Sequence, residues 1–338
     1  MDLFLLSIPV FIFIVNLFFK KINLINNYKG KKHQRFIGKK NIPLTGGIFL
    51  AIFSLIIFYD YNILFCIFLL AIFLIGLISD TDFLSSPKIR FLMQCIVLCP
   101  LVYYSNLQIY PTRVFILDIF LENIIFSYLF ITFCLVIVIN GTNFIDGLNG
   151  LVLSYYLMIS LIILKFGFFD ELNIEEYKII LLTYLLFSLL IFNLFDQLYI
   201  GDNGSYLLGY VFSFLLITIY QNNQSISPFF IILLLWYPCF ENLFSIIRKF
   251  SIKSSPIAPD NKHLHQLLFN FIQRKFKLKN IYSNNSSSLI IIMYNFLIFN
   301  LASMNIHNTQ YQILLITLNI TIYVFIYIRL LNFTVKLK

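Results

Sequence analysis

Residues 123–166 read NIIFSYLFITFCLVIVINGTNFIDGLNGLVLSYYLMISLIILKF. The apolar runs 123–140 and 148–166 are each about long enough to cross a bilayer core as helices. Between them, Asn140, Asn143, Asp146 and Asn149 recur every three residues, interleaved with Gly141, Gly147 and Gly150. Helix through this stretch gathers the four polar side chains toward one side. Such a stripe is expensive at a membrane boundary unless it lines a water-filled or ligand-filled cavity. The plainer alternative is a structural turn with Asn caps. The stretch predicts adjacent spanning helices with polar chemistry where they meet.

The rest of the chain fits that frame. Of 338 residues, 60% are hydrophobic and only 12% charged, where soluble domains carry about 25% charged residues. A soluble fold could not hide so much apolar surface. The expected class is all-α: a polytopic integral membrane protein with about eleven transmembrane helices. They fall near residues 3–19, 43–59, 62–79, 90–105, 123–140, 148–166, 178–195, 204–220, 227–247, 288–304 and 311–331. The first lacks a basic n-region and a small-residue cleavage site, so it reads as a retained span. Five cysteines lie in or beside apolar runs without a Cys-x-x-Cys pair, which suggests neither disulfides nor zinc. One domain, 1–338, is expected, with its motifs in 35–268 and the last two spans in 288–331. The Asn/Ser run 283–288 reads as a flexible approach to the tenth span.

Charge gives orientation. Of the 24 Lys and Arg residues, all but Arg113, Lys165 and Lys178 fall in loops following odd-numbered spans or at the C-terminal end. Positive charge marks the cytoplasmic side, which places the N-terminus outside, the C-terminus inside and the active site at the cytoplasmic face.

The same loops hold the polar motifs. Lys39-Lys40-Asn41-Ile42-Pro43-Leu44-Thr45-Gly46-Gly47 opens the second span. It reads either as a basic segment drawn to anionic lipid or as glycine amides approaching an anion at a helix N-terminus. Ser79-Asp80-Thr81-Asp82 closes the third span, with Lys88 and Arg90 opening the fourth. Asp80, nearer the helix than Asp82, is the better candidate for a role. After the seventh span come Asn193 and Gly201-Asp202-Asn203-Gly204-Ser205. Asp202 suits a helix cap or a Mg²⁺ ligand beside substrate phosphates. In loop 248–287, Arg248 is followed by Pro259-Asp260-Asn261-Lys262-His263-Leu264-His265. In extended chain the two His point to one side, suited to gripping an anion; zinc would want other spacings. Carboxylates, amides, imidazoles and cations at one face suit Mg²⁺-assisted phosphate chemistry between a soluble anionic donor and a lipid acceptor.

In order and spacing, these motifs resemble the polyprenyl-phosphate N-acetylhexosamine-1-phosphate transferase superfamily. His263-Leu264-His265, where the muramoyl-pentapeptide branch has consecutive His, brings the chain nearer the undecaprenyl-phosphate GlcNAc-1-phosphate transferase branch. The resemblance implies a UDP-N-acetylhexosamine donor, undecaprenyl phosphate as acceptor, release of UMP, and initiation of O-antigen or another surface polysaccharide from the bacterial inner membrane. It implies Mg²⁺, with Mn²⁺ as a substitute, on Asp202; Asp80 positioning or deprotonating the lipid phosphate; and Asp146, Asn140 and Asn143 lining the nucleotide-sugar site. His263 and His265 then lie near the donor, with Asn193 and Arg248 also binding substrate. Lys40, Pro43, Gly46, Gly47 and Arg90 fall on the substrate side. Membrane lipids are expected partners and nucleic acid is not; a homodimer is compatible with the reading. The chain departs from the family at Ser79, where Asp is usual, at Asn149, where Asp is frequent, at Gln266, where a further His is common, and at Glu241, where many have Asp. A transporter would favour midplane polar groups and inverted repeats, neither of which the sequence shows. A catalytically silent relative would not need Asp80, Asp146 and Asp202.

Overall fold

The computed structural model describes residues 2–22, 42–84, 86–251 and 262–336, and these form helices without a strand. In chain order they are α1 (Asp2–Ile22), α2 (Gly46–Phe58), α3 (Ile63–Asp80), α4 (Pro87–Tyr104), α5 (Phe115–Leu121), α6 (Ile124–Ile145), α7 (Leu151–Phe166) and α8 (Phe169–Leu172). They continue as α9 (Glu176–Leu194), α10 (Gly201–Asn222), α11 (Pro228–Leu234), α12 (Trp236–Ser251), α13 (Leu264–Phe276), α14 (Asn280–Ala302) and α15 (Thr309–Lys336). In the low-dielectric core of a membrane a helix satisfies its own backbone, which is why apolar sequence of this kind has little alternative. Local signals set the ends. Asn62 and Asn123 accept backbone amides at the starts of α3 and α6, as N-cap side chains do.

Each of the eleven expected spans coincides with a helix or, at 227–247, with the α11–α12 pair, bent by 76°. Length and composition qualify six helices as spans: α3, α6, α9, α10, α14 and α15. The bent pair makes a seventh at most, while α2 and α7 are shorter apolar helices. The difference from eleven has local causes. Residues 42–45 are not helical, the 146–150 motif is a turn, and α4 begins with Lys88 and Arg90. The run 283–288 is not a flexible approach. It lies inside α14, with Ser283, Ser287 and Ser288 buried and the Ser287 hydroxyl donating to the Ser283 carbonyl.

α10 is the axis. Of its apolar window, 94% is buried, against 28–50% for the other five spans, and α2, α3 and α6 pack around it. Small residues permit this, since in lipid helices gain by close backbone approach rather than by hydrophobic burial. A Cβ on Gly76 of α3 would stand 2.4 Å from the Asn203 Cα, and one on Gly209 would stand 2.7 Å from the Ile139 Cα. The packing brings the C-terminal ends of α3 and α6, the N-terminal ends of α4 and α10, and the turn before α7 to one end of the bundle.

Candidate active site

The site begins at the first turn of α10. Gly201, at φ +74°, turns the chain into the helix. Asp80, buried at the last residue of α3, accepts the amides of Asp202 (2.9 Å) and Asn203 (3.0 Å), one on each carboxylate oxygen. It therefore caps α10, satisfying orphan amides and answering the positive end of the helix dipole.

Asp202 is thereby presented to three neighbouring elements. One oxygen accepts from Asn143 Nδ2 on α6 (2.7 Å). The other accepts from the Ser79 hydroxyl on α3 (2.5 Å) and the Arg90 guanidinium on α4 (2.7 Å). Arg90 Nη1 also donates to Ser79 Oγ at 2.7 Å, so Ser79 supplies an oxygen without a second charge. Asn143 donates in addition to Ser205 at 3.0 Å.

The four-residue polar stripe divides. α6 ends at Ile145, and Asp146 takes non-helical angles as its C-cap. Asn143 reaches Asp202, whereas Asn140 donates to Gln94 Oε1 (2.6 Å) and to the Val136 carbonyl. Asp146 is half-buried and accepts no hydrogen bond among the described residues. Burial, with the Asp202 charge adding to it, pushes its carboxyl up to about 7. Asn149 has turned away: its side chain donates to Asp196 and its amide to Asn284 on α14, both at 2.7 Å. Asn193 is buried, accepting the Gly150 amide (2.6 Å) and donating to the Leu198 carbonyl (3.0 Å). Its work is to hold the turn.

The glycines of the second motif are not free for an anion. The Gly46 and Gly47 amides donate to the carbonyls of Tyr199 and Ile200, and the Pro43 carbonyl accepts from Tyr199 N–H. Residues 43–47 thus pair with the segment leading into α10. A Cβ at Gly47 would collide with the Asn203 side chain at 1.7 Å, so close packing accounts for that glycine. Lys40 and residues 255–261 lie outside the described residues.

His263 immediately precedes α13 and His265 lies within it, so they are not two positions of an extended strand. Their rings nevertheless stack, 5.8 Å apart and 13° from parallel. His263 also lies against Phe144 at 5.3 Å. His265 is fully buried, neither ring nitrogen having a partner among the described residues. Its Nε2 would lie 2.5 Å from a Cβ on Gly147, which sets the imidazole against the Asp146 turn. Burial, reinforced by His263, pushes His265 down to about 3, so it is neutral at physiological pH. Arg248 donates to Ser245 (3.2 Å) and stands 6.0 Å from the Tyr327 ring, on α12 and among the aromatics of α15.

An apolar cavity of about 390 Å³ lies between α6, α10 and the bent α11–α12 pair. Phe133, Ile137, Ile217, Phe229, Leu235 and Leu243 are among the residues lining it. Ile137 stands one helical turn from Asn140. Thr112, Tyr220 and Pro228 also line it, which sets most of the cavity toward the other end of the bundle.

Sequence reasoning noted Ser79 and Ser205 within their motifs without giving them partners, and missed Gln94 altogether. Gln94 follows Arg90 by four residues and shares its helix face. That signal was present but not specific.

A family model described as glycosyl transferase family 4 matches residues 62–220, the stretch that carries Ser79, Asp80, Arg90, Asn143, Asp146 and Asp202. Over 255 residues the chain is 25% identical to an undecaprenyl-phosphate alpha-N-acetylglucosaminyl 1-phosphate transferase of Thermotoga maritima, covering 75% of this chain and 76% of that protein. It is 28% identical over 275 residues to the protein of that name from Salmonella typhi, covering 77% and 72%. A probable undecaprenyl-phosphate N-acetylglucosaminyl 1-phosphate transferase of Bacillus subtilis is 29% identical over 204 residues, covering 59% and 56%. Over residues 62–220 the chain is thus similar to glycosyl transferase family 4, and over most of its length to transferases of that name.

Proposed function

We propose that the protein transfers an N-acetylhexosamine 1-phosphate from a UDP-sugar to undecaprenyl phosphate, releasing UMP, at the cytoplasmic face of a bacterial inner membrane. The observation that carries this reading is the joining of Asp80, Asp146 and Asp202 with Arg90 at one end of a bundle of apolar helices. The names of the relatives supply the acceptor and the class of sugar. An odd number of crossings, about eleven, with the N-terminus outside would put the basic loops and the polar cluster on the side where nucleotide sugars are found. The product would begin a lipid-linked surface polysaccharide such as an O-antigen.

The donor set suits Mg²⁺. No three His, Cys, Asp or Glu side chains among the described residues converge at ligating distance, but Mg²⁺ commonly takes one or two carboxylates with substrate phosphates and water. Asp202, with Asp146 beside it, would hold the ion, and Mn²⁺ would substitute. When bound, the ion supplies charge stabilisation at the transferring phosphoryl group. The chain's own residues do the rest. Asp80 fixes the first turn of α10, and Asn143 and Ser79 orient the Asp202 carboxylate. Arg90 would set a guanidinium where phosphate oxygens arrive. A lipid phosphate oxygen then forms a bond to the β-phosphorus of the donor, and the bond from that phosphorus to the UMP oxygen breaks. A phosphate monoester with a second pKa near 6 is mostly dianionic at pH 7, so the site has little need of a strong base.

The test is UMP release by the purified protein with undecaprenyl phosphate, Mg²⁺ and a panel of UDP-N-acetylhexosamines, beside Asp202→Asn. Release that requires the lipid and disappears in the variant is expected, and the preferred donor names the sugar. Folded wild-type protein silent with every donor would overturn the reading.

A further inference from the structure

The family model ends at residue 220, yet the last helix of the chain reaches the His motif. Glu241 on α12 is buried at 1% exposure. One oxygen accepts the Tyr323 hydroxyl from α15 at 2.6 Å. The other pairs with His263 Nδ1 at 2.9 Å and accepts the Leu264 amide at 3.3 Å. A buried carboxylate is tolerated only when donors replace its water, and here they come from α15 and the start of α13. The Tyr323 ring is itself wedged against Phe240 (4.9 Å), Phe244 (5.3 Å) and Tyr327 (6.1 Å). The hydroxyl is therefore aimed by packing.

A carboxylate can only accept, so a proton must sit on His263 Nδ1; in the neutral ring Nε2 is then an acceptor. Glu241 thus selects one tautomer and one ring orientation, and the ring it selects lies 5.3 Å from Phe144, between Asn143 and Asp146 in sequence. Without the Tyr323 hydroxyl, one carboxylate oxygen would lose its donor in a buried setting, and Glu241 would be free to turn. We propose that Tyr323 is a positioning residue for the transfer reaction: by anchoring Glu241, it fixes His263 against Phe144 in the last turn of α6, two residues before Asp146. The proposal rests on the transferase reading above.

Two measurements on the full chain test it. The first is turnover of Tyr323→Phe in the wild-type and His263→Gln backgrounds. Phe keeps the ring packing and removes only the hydroxyl. In the wild-type background kcat should fall about tenfold, the scale of one hydrogen bond to a charged group, with KM moving less than twofold. In the His263→Gln background the same change should cost less than twofold. A merely structural role would cost the same in both. The second needs no turnover: nitrogen-15 NMR of the protein with labelled histidine in lipid. The sequence has four His, and His263→Gln assigns the ring. The His263 proton should reside on Nδ1 in wild type and shift toward Nε2 in Tyr323→Phe. Equal cost in both backgrounds, or a tautomer unchanged by Tyr323→Phe, would overturn the proposal while leaving an active transferase. Wild-type protein releasing no UMP would instead overturn the transferase reading and, with it, the catalytic meaning of the relay.

Discussion

The two ends of this bundle carry polar residues in comparable settings but use them differently. At the end away from the basic loops, Lys178 meets Asp60 at 2.5 Å, and the ammonium's hydrogen bond holds that carboxyl below the usual carboxylate range. Arg113 donates to the carbonyls of Gln224, Ser225, Ile226 and His307 and to the Thr309 hydroxyl, tying three connections together. At the basic end, Asp80 and Asn193 are likewise occupied by backbone groups. Beside them, Asp146 accepts no hydrogen bond and both nitrogens of the buried His265 are unpartnered among the described residues. Buried polar groups in folded proteins are nearly always satisfied. These two titratable groups stand beside Asp202 and Arg90, whereas Asp80 and Asn193 hold backbone in place.

That contrast can be broken most directly by activity. Asp202→Asn should lower UMP release by at least about 100-fold, the usual cost of removing a group that stabilises transition-state charge, while Asp60→Asn at the far end changes it less than twofold. Equal losses would mean that position in the bundle carries no functional information.

Next in size is the loss expected at the scaffold. Arg113→Ala should lower the thermal midpoint in detergent by about 5 °C, through loss of hydrogen bonds that bridge three loops. Its kcat at a temperature where both proteins are folded should be unchanged. A reduced kcat in fully folded Arg113→Ala protein would assign the far end a role in turnover.

The pH dependence sharpens the comparison. A carboxyl whose folded-state value is raised from 3.8 to about 7 favours the protonated form in the folded protein. Its contribution to stability is fully present below about pH 4 and is lost as pH rises through about 7. Without added divalent cation, wild-type protein should therefore lose thermal stability between pH 4 and 7 relative to Asp146→Asn. Parallel pH profiles for the two proteins would show that Asp146 is not held as described.

The smallest effect is expected at Asn149. Asp there would set a second carboxylate beside Asp196, which now accepts the Asn149 amide at 2.7 Å. Asn149→Asp should cost about 1 kcal/mol, read as a drop of about 3 °C. A gain in stability would show that this chain's Asn is not matched to Asp196.

Much of this was legible in residues 123–166 and their counterparts. Apolar length and the scarcity of charge determined an all-helical membrane protein, because a backbone in lipid must bond to itself. The clustering of motifs in basic loops determined that the chemistry gathers at one end. Which polar residue does what was not legible. Asn140, Asn143, Asp146 and Asn149 look equivalent at a spacing of three, but α6 stops at Ile145, and the turn sends Asn149 to Asp196 and Asn284. Gly46 and Gly47 read as an anion loop until residues 43–47 pair with the segment before α10. The decisive contacts, Ser79 and Arg90 with Asp202 and Tyr323 with Glu241, join residues 82–123 positions apart. Apolar periodicity does not choose among helix neighbours in a solvent as apolar as leucine; close packing on the small residues of α10 does, and only the tertiary structure holds that information.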